Sequence, residues 1–220
     1  MTDLISFDLD GTLLDTAKDF HFAINKLKSH YGLPPSEYED IKSRVSEGAL
    51  SLIRFAFESQ AKEKNLELLN KELLELYDSC CLINTTPFDG IQDLLEKISS
   101  AGLKWGIVTN KPEVYSKKIV NHFFRDQKPN FLITPEISGE RKPSPKGLIK
   151  ACQITGSRPS ASFYVGDHLI DIEAGKKANM ITIAAAYGYI PKDQSPKKWN
   201  AEYIAKSPKE IKNFIPELKN

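Results

Sequence analysis

The chain has 220 residues, with 30 Lys+Arg against 29 Asp+Glu for a formal net charge of +1, and it is 40% hydrophobic and 27% charged. A balance this close to zero excludes a surface built mainly to hold nucleic acid or anionic membrane, and the composition excludes the disordered and fibrous classes. The length allows one large domain or two smaller ones with a full core.

Asp3, Asp8 and Asp10 crowd the first ten positions, where an export signal would need basic residues ahead of an apolar core, and the longest largely apolar run, Ile181 to Ile190, is too short to span a bilayer. Cys80, Cys81 and Cys152 have neither a disulfide-framework nor a zinc-site spacing. The expectation is a soluble, cytoplasmic protein with reduced thiols.

Residues Leu4 to Phe7 form a short apolar run that stops at Asp8-Leu9-Asp10-Gly11-Thr12, the pattern of a buried strand meeting a glycine turn. From Thr16 to Thr86 helical spacing takes over: Phe20, Ile24, Leu27 and Tyr31 recur on one face, Leu33-Pro34-Pro35 breaks the pattern, and Leu66 to Leu82 gives another long amphipathic stretch. No convincing strand is legible there, and nine basic against eleven acidic residues argue against a polyanion-binding arm.

After Pro87-Phe88-Asp89-Gly90 the pattern alternates. A helix carrying Ile91, Leu94, Leu95 and Ile98 leads to a strand at 105–108, a helix over 112–124, a short strand at 131–133, a helix after Ser144, a strand at 162–165, a helix through 172–178 and a strand at 181–184. Such alternation implies a parallel sheet with right-handed crossovers. The fold class is therefore α/β, a Rossmann-like doubly wound parallel sheet formed by 1–15 and 87–220, with an α-helical insertion at 16–86. The stretch from Lys192 onward, with seven lysines against four acids, reads as solvated surface.

Polar residues cluster where strands end: Asp8, Asp10 and Thr12, then Thr109 and Asn110, then Lys142 in a later connection, then Asp167 and Asp171. In doubly wound sheets such ends meet in one cleft. Asp8 and Asp10, two residues apart on a strand, can share that cleft, one attacking while the other handles protons. Asp-x-Asp-Gly-Thr alone would also make a simple turn. Gly166-Asp167 with Asp171 argues otherwise, because four acids in one cleft repel unless a cation sits among them, and hard oxygen donors suit Mg²⁺. Lys142, in Arg141-Lys142-Pro143-Ser144-Pro145, and the side chains of Thr109 and Asn110 supply the cationic and hydrogen-bonding groups a phosphate requires.

These four motifs in order, Phe7-Asp8-Leu9-Asp10-Gly11-Thr12-Leu13, Val108-Thr109-Asn110, Lys142-Pro143-Ser144-Pro145 and Gly166-Asp167 with Asp171, resemble the haloacid dehalogenase superfamily of aspartate-nucleophile phosphatases over nearly the whole chain. The resemblance implies Asp8 as nucleophile and Asp10 as general acid and base. It also implies Thr109, Asn110 and Thr12 at the phosphate, Lys142 as charge stabiliser, and a Mg²⁺ site formed by Asp8, the Asp10 carbonyl, Asp167 and Asp171. The insertion is similar to the superfamily's small cap. Asp15-Thr16-Ala17, Trp105 through Pro112 and Gly166 through Gly175 look like the phosphoglycolate phosphatases, whereas Thr182 through Ile190 with Trp199 look more like the N-acetylmuramic acid 6-phosphate phosphatases, and the branch stays open. His168 stands where many relatives carry Ser or Thr, and Asn179 where they carry Gly.

Arg44, in a polar break with Ser46, Glu47 and Gly48, is a candidate to pair a substrate carboxylate, against the plainer reading of a solvated loop. His168 either touches substrate or caps the following helix. His21 falls one residue from the cap histidine of related sugar-phosphate mutases, a shift of about 100° on a helix, so it reads as an ordinary helix residue. Phe55, Phe57, Leu66, Leu69, Leu73 and Leu76 read as the insertion's own core. The expected partner is a small-molecule phosphate ester, with no nucleic acid or membrane, and the chain is a monomer or homodimer. A phosphomutase and a non-enzymatic aspartyl-phosphate receiver are the rival readings, and Asp10 speaks against the receiver because it favours rapid hydrolysis.

Overall fold

The computed structural model describes residues 1–58 and 63–219, so residues 59–62 of the expected insertion and residue 220 lie outside the described residues. Among those described, the chain begins with β1 (Leu4–Phe7), turns into the short β2 (Leu14–Asp15), and passes through α1 (Ala17–His30), α2 (Tyr38–Lys42), α3 (Ala49–Ala56) and α4 (Glu63–Cys80) before β3 (Thr86–Pro87). It then alternates through α5 (Ile91–Ser100), β4 (Lys104–Val108), α6 (Glu113–Phe123), β5 (Leu132–Ile133), the one-turn α7 (Pro135–Ser138), α8 (Lys146–Thr155), β6 (Ser162–Gly166), α9 (Leu169–Lys177) and β7 (Ile181–Ala185). The short β8 (Tyr203–Ala205) and α10 (Pro208–Ile211) complete it.

The main sheet, in the order β5-β4-β1-β6-β7-β8, is parallel throughout. Alternation along each strand divides the apolar side chains between two faces. Ile5, Phe7, Trp105, Ile107, Phe163 and Val165 pack with α5 and α6 residues such as Leu95 and Ile119, whereas Leu4, Val108 and Tyr164 pack with Leu148 and Ala151 of α8 and Ala174 of α9. The strand order reverses at β1, so the ends of β1, β4 and β6 open a crevice at the switch point.

Two features were not legible beforehand. The ribbon of β2 and β3, antiparallel at Leu14 opposite Pro87, carries the chain into and out of the helical insertion. Asp19 of α1 reinforces that junction: its buried carboxylate accepts hydrogen bonds from the backbone N–H of Asn84 and Thr85 and from the Thr85 hydroxyl. The stretch after Lys192 is also more than solvated surface, because β8 pairs with β7 and Ile211, Ile215 and Leu218 are buried in the main core. Three apolar residues spaced over two short turns were too few to stand out among the lysines.

Within the insertion, Phe20, Ile24 and Leu27 of α1 meet Leu52 and Ile53 of α3 and Leu69, Leu73 and Tyr77 of α4, continuous with the core beneath. Phe57 and Leu66 are buried there as well, with Phe55 and Leu76 packed at the edge. Among the described residues no helix is long and apolar enough to cross a membrane.

Candidate active site

Asp8 leaves β1 directly into the crevice, and its backbone N–H still donates to Val165 of the neighbouring strand, which fixes its direction. Gly11 follows with φ +80°, in the left-handed region that favours glycine, and a Cβ there would stand 2.2 Å from Asp167 Oδ2. Gly188 closes the same space from the turn after β7, since its Cβ would stand 2.2 Å from the Gly11 carbonyl oxygen. Two glycines thus let the β1 turn sit against the carboxylate at the end of β6.

Among the described residues, Asp8, Asp167 and Asp171 each offer a carboxylate oxygen within 4.8 Å of the others, all buried. Lys142 is wedged beside them, with Nζ 2.8 Å from Asp8 Oδ1, 2.7 Å from Asp171 Oδ1 and 2.8 Å from the Tyr164 hydroxyl. Asn110 braces the lysine's backbone, accepting from Lys142 N at 2.7 Å and donating to Lys142 O at 3.1 Å. Asp167 is held by the Thr12 hydroxyl, the Tyr189 backbone N–H and the Ser46 hydroxyl, at 3.0, 2.9 and 3.0 Å.

The electrostatics are those of an excess of buried anion. Burial, opposed by Lys142 and reinforced by Asp171 and Asp10, pushes the Asp8 carboxyl up to about 7. Burial followed by the charges of Asp171 and Asp8 pushes Asp167 up to about 8. Burial alone would depress Lys142, yet Asp171 and Asp8 hold its ammonium above the ordinary lysine value. Asp8 Oδ1 is buried and receives no well-aligned hydrogen bond, its lysine contact being ionic. Three hard carboxylates against one ammonium leave an excess of negative charge that fits a divalent cation such as Mg²⁺.

The expected four-carboxylate cluster resolves into three and one. Asp10 turns its carboxylate away from the other acids: Oδ1 accepts from the Thr16 hydroxyl at 2.7 Å and pairs with Lys111 Nζ at 2.9 Å. A metal could therefore reach Asp10 only through its main chain, as the resemblance implies. Lys111 was overlooked as a site residue, although its place two positions after Thr109 in Thr-Asn-Lys-Pro was the available signal.

A cavity of about 310 Å³ lies above these groups, lined by Asp8, Asp10, Thr109, Asn110, Lys111 and Lys142 from the core and by Phe20, Ser46, Leu50, Asn70, Leu74 and Tyr77 from the insertion. Thr109 and Asn110 are thus brought to the site, whereas three other candidates are not. The Thr12 hydroxyl is fully buried and committed to Asp167, so it orients a carboxylate instead of meeting a phosphate. Arg44 donates to the Asp40 carbonyl at 2.8 Å and lies 3.9 Å from the centre of the Phe55 ring, away from the cavity wall. His168 caps α9, its Nδ1 accepting from Ile170 N, and burial holds it below the usual histidine value. His21 is structural, 2.9 Å from the Ser36 carbonyl.

The guanidinium at the cavity is that of Arg141, which has no ion-pair partner among the described residues. Its position beside Lys142 follows from the sequence, but its approach to Gly48 of the insertion does not.

Comparison with known proteins places this geometry. Residues 5–185 match the family described as haloacid dehalogenase-like hydrolase. The chain is 37% identical over 207 residues to an N-acetylmuramic acid 6-phosphate phosphatase of Pseudomonas aeruginosa, covering 94% of this chain and 92% of that protein. It is 34% identical over 207 residues to a phosphoglycolate phosphatase of Xanthomonas campestris, covering 94% and 93%. The crystal structure of a predicted phosphoglycolate phosphatase from Haemophilus somnus superposes with a TM-score of 0.88 at 22% identity, covering 97% of both chains, which bears on the fold.

Proposed function

The chain belongs to the haloacid dehalogenase-like hydrolases, and from that premise we propose that it is a Mg²⁺-dependent phosphomonoester hydrolase working through phosphorylated Asp8. The observation that carries this is the setting of Asp8: a buried carboxylate paired with Lys142, grouped with two further acids and lining the cavity.

In the first step an Asp8 oxygen bonds to phosphorus as the ester P–O bond breaks, and the departing oxygen takes a proton from Asp10. In the second, water gives a proton to Asp10, its oxygen bonds to phosphorus, and the bond to Asp8 breaks to release inorganic phosphate. Lys142 and the Thr109 hydroxyl offset and orient the phosphoryl oxygens, and Asn110 keeps Lys142 in place. Asp8, Asp167, Asp171 and the Asp10 main chain would hold Mg²⁺, which when bound would supply the positive charge that lets two anions approach. The helical insertion, residues 16–86, serves as a cap over the core formed by 1–15 and 87–220, shielding the site from bulk solvent.

For the substrate, the preferred reading is a small carboxylated phosphate ester of the phosphoglycolate kind, its carboxylate received by Arg141 instead of Arg44. A second reading, N-acetylmuramic acid 6-phosphate, draws support from Asn70 of α4. This residue lines the cavity with a buried Oδ1 that lacks a hydrogen-bond partner among the described residues, and an orphaned acceptor calls for a donor on the ligand. The sugar carries hydroxyl and amide donors, whereas ionised phosphoglycolate carries none. The apolar wall of Phe20, Leu50 and Leu74 also suits a larger leaving group.

A panel of phosphate esters containing both compounds, assayed for phosphate release with Mg²⁺ and with Asp8→Asn as control, tests the assignment. A preference above about tenfold, roughly 1.4 kcal/mol of differential transition-state binding, decides the branch. Equal turnover by wild type and Asp8→Asn would refute the mechanism.

A further inference from the structure

The buried ammonium of Lys111 joins the sheet to the helical insertion beside the cavity. Its side chain is 3% exposed. On one side Nζ pairs with Asp10 Oδ1 at 2.9 Å, and on the other it donates to the Tyr77 hydroxyl of α4 at 2.9 Å. The rings of Phe20, from α1, and Tyr77 stack on each other at 4.0 Å and face the ammonium, with centroids 4.7 and 4.6 Å away.

An ammonium out of water has little tolerance for an incomplete set of partners. Here one carboxylate balances its charge, and one hydroxyl and two aromatic faces from the insertion replace its hydration. Were α1 and α4 to swing away from the sheet, Lys111 would lose the hydroxyl and both rings together and would be rehydrated. Its pairing with Asp10 would then weaken to that of a solvated ion pair. Thr16, the second residue holding Asp10, is also the residue just before α1. The Thr16 backbone N–H is itself bonded to the Tyr189 hydroxyl of the core, so Lys111 is the restraint on Asp10 that depends on the placement of α1 and α4.

We propose that Lys111 is a positioning residue that makes the placement of Asp10 conditional on closure of the helical insertion, through Tyr77. The inference rests on the phosphatase reading, in which Asp10 protonates the leaving group. It separates Lys111 from residues that bind substrate: losing it should affect proton delivery more than substrate affinity.

That distinction can be read from leaving groups. A nitrophenolate departs with little help from an acid, whereas an alkoxide needs its proton. Wild type, Lys111→Met, Lys111→Arg and Tyr77→Phe would be compared on glycerol 1-phosphate and 4-nitrophenyl phosphate with saturating Mg²⁺. A general acid contributes about 10²–10⁴-fold, so the ratio of kcat/KM on the alkyl ester to kcat/KM on the aryl ester, which reports the first step alone, should fall about 30-fold in Lys111→Met. It should fall several-fold in Tyr77→Phe and be partly restored in Lys111→Arg.

Equal losses of kcat/KM on both esters, leaving the ratio unchanged, would overturn the proposal. Should Lys111→Met fail to fold, Tyr77→Phe, which deletes one oxygen, decides by the same ratio. A wild-type protein that hydrolyses neither ester would instead overturn the phosphatase reading.

Discussion

Ser46, in the loop ahead of α3, donates its hydroxyl to Asp167 Oδ2 at 3.0 Å, so the insertion touches the acidic cluster of the sheet directly. The contact spans 121 positions of sequence and closes one side of the cavity. Removing it with Ser46→Ala should lower kcat/KM about tenfold, the worth of one hydrogen bond to a charged group. Steady-state kinetics at saturating Mg²⁺ would check this, and an unchanged value would mean that closure does not use the contact.

Lys142 is the sole ammonium within ion-pair distance of Asp8 and Asp171 among the described residues. Lys142→Met keeps the aliphatic stem and deletes the charge, leaving both acids buried without a counter-ion. Turnover should fall more than about 10³-fold, and urea unfolding should show a loss of roughly 3 kcal/mol.

The raised carboxyls make stability depend on pH in a definite direction. Asp8 and Asp167 have folded values above those of an unfolded chain, so between the two values the folded state binds more protons. The slope of unfolding free energy with pH is then negative, and metal-free protein should lose melting temperature from about pH 5 to about pH 8. Mg²⁺ competes with those protons, so its stabilising effect should grow over the same interval. Scanning calorimetry with and without Mg²⁺ would show it, and a melting temperature that rises with pH in the metal-free protein would contradict the assignment of these acids.

Gly188 tests the close packing around Asp167. A Cβ there would meet the Gly11 carbonyl oxygen at 2.2 Å and Asp167 Cβ at 2.3 Å, both on constrained groups. Gly188→Ala should cost about 1–3 kcal/mol of stability and raise the Mg²⁺ concentration needed for half-maximal turnover, measured by metal titration of the rate. An unchanged titration would separate Gly188 from the metal site.

Much of this arrangement was legible in the residues because its signals are local. Leu4–Phe7 is an apolar run that meets Asp8 and Gly11, and β4 and β6 end within two positions of Thr109, Asn110 and Asp167, so the α/β order and the gathering of these groups followed from spacing, with Lys142 entering from the longer connection after β5. What stayed hidden depends on contacts between distant segments. The direction of the Asp10 carboxylate is set by Lys111, 101 positions away, and the Thr12 hydroxyl is claimed by Asp167, 155 positions away. Arg44 was placed toward the substrate because its loop is, yet its guanidinium finds Asp40 and Phe55 first. The strand β8 was masked by the surrounding lysines, since three residues give too short a period to read.

The most direct test of the account is to trap the covalent intermediate. Protein quenched during turnover of a phosphate ester with Mg²⁺ would be treated with borohydride, which reduces an acyl phosphate to the alcohol, and its peptides analysed by mass spectrometry. The account predicts homoserine at position 8, dependent on both substrate and Mg²⁺ and absent in Asp8→Asn. Phosphate release proceeding at full rate with Asp8 unmodified, or reduction at another carboxylate, would contradict it.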